Sequence, residues 1–166
     1  SRSIRAFRMG HALLNRRIAT ALPLAVLERR VGPHLAENIL VTEAVEAPGM
    51  NKFLETWLSL PPRGESPMTQ GERRRLAQQV LGQLGRLVQR LHDNHFSHRD
   101  LQGNNLLIRW THGSEPEAVL VDLDGLKRHR LLTSRRRFQG LMRLNVSLLE
   151  CPVVNRAGRL RMLLGY

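Results

Sequence analysis

Residues 4–18 place Ile4, Phe7, His11, Leu14 and Ile18 at spacings of three and four, with Arg5, Arg8, Arg16 and Arg17 between them. That pattern predicts one amphipathic helix with its arginines on the face opposite the stripe. Two short apolar runs follow, Pro23–Leu27 and Asn38–Val45, divided by the turn-prone Val31-Gly32-Pro33-His34 and closed by Pro48-Gly49. They predict an antiparallel pair of strands. Met50–Leu60 reads as a short helix and Pro61–Pro67, rich in proline and glycine, as a loop.

Thr69 followed by Glu72 fits a capping box, and Leu76, Val80, Leu84, Leu87, Val88 and Leu91 keep helical period to about His95, the longest predicted element. Gly82 and Gly85 inside it each cost roughly 1 kcal/mol against alanine, so the choice is between a closely packed neighbour and an ordinary tolerated glycine. Leu106–Trp110 and Ala118–Leu123 are β-type runs around the turn residues 111–116, a predicted hairpin. After Lys127 the pattern reads as helical to the end, with Phe138, Leu141, Met142, Val146 and Leu149 as one core stripe and Leu160, Leu163 and Leu164 as another.

The 166 residues, 42% of them hydrophobic, suit about one globular domain. No apolar run approaches the roughly 18 residues of a spanning helix. The lone Cys151 excludes an internal disulfide scaffold and a cysteine metal knuckle, and points to a reducing compartment such as the cytoplasm. The formal charge is +12, and because lysine occurs only at Lys52 and Lys127, almost all of the basic residues are arginines.

The chemistry concentrates in His98-Arg99-Asp100-Leu101-Gln102-Gly103-Asn104-Asn105, where an asparagine follows an aspartate by five residues and enters an apolar strand. This is the H-R-D-L-x-x-x-N catalytic loop of protein kinases. Phosphoryl transfer asks little covalent work of an enzyme. It needs a carboxylate to orient and deprotonate the attacking hydroxyl, and oxygen ligands for Mg²⁺ on the phosphates. Asp100 suits the first task and Asn105 the second, with Arg99 as a local charge partner. A second metal ligand is expected downstream, and Val119-Leu120-Val121-Asp122-Leu123-Asp124-Gly125 supplies an apolar strand ending in an aspartate. The segment resembles the kinase D-F-G motif with Asp122 as the ligand, preferred to Asp124 because it directly follows the strand.

Beyond the loop, the sequence resembles the lipopolysaccharide kinase family, the bacterial Kdo/heptose kinases related in fold to protein kinases. The resemblance rests on Arg5–Leu14 leading to Pro23–Glu28, on Leu40-Val41-Thr42-Glu43, on the loop 98–105, on Asp122-Leu123-Asp124 and on the tail Arg159–Tyr166. It implies an α+β, protein-kinase-like fold: a truncated small lobe of one helix and two strands over residues 1–47, and a mostly helical large lobe over 48–166. It also implies ATP and Mg²⁺ as cofactors, with Glu43, Ala44 and Val45 as a hinge contacting adenine through backbone groups, and His98 and Leu123 packed between the lobes. The implied substrate is a sugar hydroxyl of the lipopolysaccharide core on lipid A. Gln102 stands where Ser/Thr kinases usually carry lysine, which argues against a protein acceptor. A protein or other small-molecule kinase, or a non-catalytic pseudokinase, remains the alternative.

Kinases hold ATP phosphates with a glycine-rich loop and a strand lysine. The chain has no G-x-G-x-x-G, and Lys52 and Lys127 lie downstream of where that lysine belongs. The expectation is a kinase fragment lacking its phosphate anchor, inactive or weakly active alone, with a natural degenerate kinase as the other explanation. Arg135-Arg136-Arg137 and the N-terminal arginines suit a solvated face or contact with an anionic surface, as for an enzyme peripheral at the inner face of the inner membrane. With 4% aromatic residues, nucleic acid is a poor fit.

Overall fold

The computed structural model describes residues 1–58 and 68–166. The predicted loop Pro61–Pro67 and the last two residues of the predicted helix 50–60 lie outside the described residues.

Helix α1 covers Arg2–Leu14, with Ser1 as its N-cap. It ends four residues before the predicted boundary, and its core face is not the predicted stripe. Ser3, Ala6, Gly10 and Leu13 are buried, whereas Ile4, Phe7, His11 and Leu14 are half-buried along the flank. Close approach is the reason. A Cβ at Gly10 would overlap the Pro23 ring and come within 3.0 Å of Leu123 Cδ1, so the narrow side of the helix faces inward and its bulky residues roll to the rim.

Strands β1 (Pro23–Val31) and β2 (His34–Thr42) pair antiparallel, Val31 opposite His34, across a two-residue turn at Gly32-Pro33 in which Gly32 takes φ 57°. Both extend through charged positions that the apolar runs left out, with Arg29 and Glu37 opposite one another. Strand β2 stops at Thr42, so Glu43, Ala44 and Val45, predicted to continue it, form an irregular exit segment.

Helix α2 (Met50–Leu58) precedes α3 (Gln70–Asp93), which opens with the predicted capping box: Thr69 Oγ1 accepts from the Glu72 N–H at 3.3 Å and Glu72 Oε2 accepts from the Thr69 N–H at 2.7 Å. All six predicted core residues of α3 are buried. Strand β3 (Phe96–His98) pairs with β6 (Leu126–Arg128), and β4 (Leu106–Arg109) with β5 (Glu117–Leu120) in the predicted hairpin. Three-residue strands carry too little periodicity to be seen in the sequence, so the tail expected to be helical after Lys127 begins in β6 and becomes helical only in α4 (Ser134–Leu149) and α5 (Arg156–Gly165).

The predicted stripes of both last helices are corrected. Phe138 is 63% exposed and Leu164 73% exposed, and Met142, Val146, Leu149, Leu160 and Leu163 are exposed as well, while Leu141 is partly buried against the core. Instead α4 buries Gly140, Leu144, Ser147 and Leu148, and α5 buries Met162. Gly140 admits the His92 ring, whose Nε2 lies 2.9 Å from where a Cβ would be, and Ser147 accepts a hydrogen bond from the loop, so small and polar residues occupy the contact face. One hydrophobic cluster joins Leu13 and Ile18 to Phe53, Leu84, Leu120 and Leu144. Among the described residues no helix is long and apolar enough to cross a membrane.

Candidate active site

The loop 98–105 is pinned on both sides by its own backbone and by its neighbours. Its last three residues form a 3-10 turn, Gly103–Asn105, in which the Asn105 N–H donates to the Gln102 carbonyl at 3.0 Å. The Gly103 N–H donates to Ser147 Oγ of α4 at 2.7 Å. A side chain at Gly103 would press on Asn51 Oδ1 and Met50 Cε of α2, at 2.5 and 2.8 Å from a Cβ, so only glycine seats the loop this deeply between α2 and α4.

Asp100 is exposed while Asn105 is 8% exposed. Asn105 Nδ2 donates to the Asp100 carbonyl at 2.7 Å and to Asp100 Oδ2 at 3.1 Å, and Gln102 Nε2 donates to Asp100 Oδ1 at 2.5 Å. Each carboxylate oxygen thus has one donor and keeps capacity to accept a substrate hydroxyl. With both amide protons of Asn105 directed at Asp100, its Oδ1 is left as an acceptor.

Three hydrogen bonds tie this loop to the 121–125 segment. His98 Nδ1 accepts the Asp100 N–H at 3.2 Å, so its proton sits on Nε2, which donates to the Asp122 carbonyl at 2.9 Å. The Val121 N–H donates to the Asn105 carbonyl at 2.9 Å, and the Arg99 N–H to the Gly125 carbonyl at 3.1 Å. His98, expected to pack between lobes, is buried as a polar crosslink. Asp122 itself adopts φ 56°, ψ 74°, a left-handed conformation that non-glycine residues rarely hold. Its side chain accepts from the Asp124 N–H at 3.3 Å, which is the local bonding that lets aspartate tolerate that region.

A cleft of about 590 Å³ opens beside this segment. Its walls include Glu43, Ala44 and Val45 from the exit of β2, Leu40 of β2, and Asp122 with Asp124. The predicted hinge and the predicted aspartates therefore share one cavity, although 79 residues separate Glu43 from Asp122 in the chain. The Glu43 N–H is committed to the Leu22 carbonyl at 2.8 Å and the Val45 carbonyl to the Ala47 N–H at 2.9 Å. The rival pair of aspartates differ in their surroundings: Asp124 faces the α1 arginines, Arg5 Nη2 at 3.8 Å and Arg2 Nη1 at 4.0 Å, whereas Asp122 has no ion pair among the described residues.

Arg99 departs from its expected part. Among the described residues it forms no ion pair with Asp100; its backbone is drawn to Gly125, and its side chain lines a separate small pocket with Lys127, His129, Arg136 and Arg143. Sequence reasoning missed that pocket. His129 and Arg143 belong to no motif, and only the pairing of β3 with β6 brings Lys127 next to Ser97.

The fold and site thus define a mixed helix-and-strand protein in which a loop with an exposed carboxylate and a buried amide is hydrogen-bonded to the segment whose aspartates line a cleft. Residues 1–166 match the model of the lipopolysaccharide kinase (Kdo/WaaP) family, and the chain belongs to that family. It is similar to a solved structure of WaaP in complex with acyl carrier protein, with a TM-score of 0.73 and 23% identity over 98% of this chain and 63% of that chain. At that identity the likeness establishes the fold, and the chain spans about 63% of the length of its WaaP neighbour. No curated protein matches the chain.

Proposed function

We propose that the chain carries the catalytic loop of an ATP-dependent kinase that phosphorylates a sugar hydroxyl, on Kdo or heptose, of the lipopolysaccharide core. The observation that carries this reading is the hydrogen-bonded unit of Asp100, Asn105 and Asp122, in which the loop and the post-strand segment hold each other through His98 and Val121.

In this reading residues 1–47 form a reduced small lobe and residues 48–166 the large lobe. The Ala44 backbone and its neighbours receive adenine in the cleft, and the phosphates extend toward Asp122. The acceptor hydroxyl donates to an Asp100 oxygen, its own oxygen forms the new bond to the γ-phosphorus as the bond to ADP breaks, and the hydroxyl proton passes to the carboxylate. Gln102 and Asn105 hold that carboxylate in place, so little reorganisation is left for the reaction itself.

The donor set fits Mg²⁺, a hard cation usually held by one or two carboxylates together with phosphate oxygens and water. Asn105 Oδ1 and the Asp122 carboxylate would hold it, and no group of three or more His, Cys, Asp or Glu that would suit a softer or fully caged ion occurs among the described residues. When bound, the ion neutralises charge on the transferring phosphate. The arginine-rich surface supports a site of action at the cytoplasmic face of the inner membrane, where the lipid-linked core is made accessible, with contact to anionic lipid as the docking force.

Asp100→Asn tests the assignment, since it keeps the shape of the side chain and removes the base. Turnover of ATP with a core saccharide acceptor is expected to fall by about 10²–10⁴ while nucleotide affinity stays within twofold. Undiminished phosphotransfer by Asp100→Asn, measured both on this chain and on the longest chain its gene encodes, overturns the reading.

A further inference from the structure

The small pocket behind the catalytic loop is lined only by donors of positive charge and neutral groups. Arg99, Lys127, His129, Arg136 and Arg143 surround a space of about 180 Å³, with Ser97 at its wall and no carboxylate in the lining. Acids reach some of the arginines elsewhere, Arg29 with Glu37, Arg109 with Glu117 and Arg137 with Asp93, but 14 acidic residues are too few for 26 basic ones. Among the described residues, none of the four permanent cations of the pocket makes an ion pair.

The polar order of the wall points the same way. Arg136 Nη1 can only donate, so at 3.2 Å it fixes His129 Nδ1 as an acceptor and leaves the imidazole proton on Nε2. Nε2 then donates to Ser97 Oγ at 2.7 Å, which turns the serine hydroxyl proton outward. Burial, with the Arg136 and Lys127 charges adding to it, holds His129 below its ordinary pKa and so keeps this neutral order. The charged groups of the lining are all cations, with Gln139 as a neutral amide beside them, and the space of about 180 Å³ is too small for a nucleotide, since small-molecule sites run to about 300–1,000 Å³.

We propose that this pocket binds a phosphomonoester dianion, held by Arg99, Lys127, Arg136 and Arg143 and by the Ser97 hydroxyl. Arginine forks and a lysine point charge match a tetrahedral oxyanion, and four unpaired cations want the double charge of a phosphate more than a single carboxylate. Because Arg99 directly precedes Asp100, an occupied pocket braces the loop at a place that shares no lining residue with the larger cleft. Resting on the kinase reading above, the phosphate is one already carried by the saccharide acceptor, which makes the pocket a determinant of acceptor choice; free inorganic phosphate is the other source of the same chemistry.

The test has two arms. In the first, inorganic phosphate is titrated into the chain at constant ionic strength and followed by ³¹P line broadening, with Arg136→Gln, Arg143→Gln and the distant Arg8→Gln compared after circular dichroism confirms that each is folded. Saturable binding that weakens about tenfold in each pocket variant but not in Arg8→Gln is expected. Absent binding, or equal binding in all four proteins, overturns the proposal whatever becomes of the kinase assignment. In the second arm, phosphorylated and enzymatically dephosphorylated acceptor saccharides are compared. A KM raised by the pocket substitutions only for the phosphorylated acceptor supports the acceptor as source; phosphate-dependent rates lost equally with both acceptors support free phosphate.

Discussion

Asn105 reaches back across the loop to Asp100, its Nδ2 donating to the carbonyl at 2.7 Å and to the carboxylate at 3.1 Å. A residue that is almost fully buried thereby aims one that is exposed. The Asn105 carbonyl also accepts the Val121 N–H at 2.9 Å, so one residue is bonded both to Asp100 and to the strand end that precedes Asp122.

Asn105→Ala removes both bonds and leaves the Asp100 carbonyl without that donor. A loss of about 1–3 kcal/mol in unfolding free energy is expected, from the desolvated group left behind. Turnover should fall by more than the stability change explains, and the Mg²⁺ concentration for half-maximal rate should rise. Chemical denaturation and a magnesium titration of phosphotransfer check the two effects separately.

Helices α3 and α5 meet where Gly85 lies beneath the last turn of the chain. A Cβ at Gly85 would overlap the Met162 carbonyl oxygen and fall 2.8 Å from the Gly165 carbonyl carbon, whereas one at Gly82 would meet only the Arg86 guanidinium, at 3.4 Å. Gly85→Ala is expected to cost about 3 kcal/mol by overpacking against rigid backbone. Gly82→Ala, which needs only a flexible side chain to move, should be neutral or stabilise by up to about 1 kcal/mol through helix propensity. Thermal melts of the two variants should therefore move in opposite directions or differ by roughly 10 °C.

His92 is 2% exposed, and its Nδ1 accepts from the Tyr166 hydroxyl at 2.9 Å. Arg137 Nη1 donates in turn to that hydroxyl at 3.3 Å and to Asp93 Oδ1 at 3.1 Å. Burial first, and the Arg137 charge second, push the His92 pKa down to about 4. The unfolded chain therefore binds the proton more readily, with the ordinary value near 6.5, and stability falls as pH drops from about 6.5 to about 4, by ~3 kcal/mol over that window. Below about 4 both states are protonated and this slope ends. Urea unfolding between pH 4 and 7 should show it, and His92→Gln should flatten it.

Cys151 is 1% exposed, and burial pushes its thiol above the ordinary range. Reaction with a disulfide reagent at pH 7.5 should be slow in the folded protein and rise by at least about a hundredfold in urea, because only the exposed thiolate attacks. A native rate close to that of the unfolded chain would mean that the α4–α5 junction opens far more often than its packing suggests.

Much of the local structure could be read from residue order. The Thr69–Glu72 box, the six buried apolar positions of α3 and the hairpin of β4 and β5 depend on neighbours three, four or a few residues away, which periodicity and capping chemistry report directly. The faces of α1, α4 and α5 could not be read in this way. Apolar size predicts burial only when helices pack at ordinary distance; where Gly10 and Gly140 admit the Pro23 and His92 rings and Gly85 admits the backbone of α5, the small residues turn inward and Phe7, Phe138 and Leu164 are left at the rim or in solvent.

The sequence by itself determined the loop and its chemistry, because Asp100, Asn105 and the spacing between them act within eight consecutive residues. It also determined the family, whose model spans the whole chain. Only the tertiary structure decided how Asp122 and Asp124 differ, since that depends on the α1 arginines reaching one carboxylate and not the other. It likewise decided that Arg99 turns from Asp100 to a pocket with Lys127, His129, Arg136 and Arg143. Charges act through space between residues far apart in the chain, and no one-dimensional pattern records which of them meet.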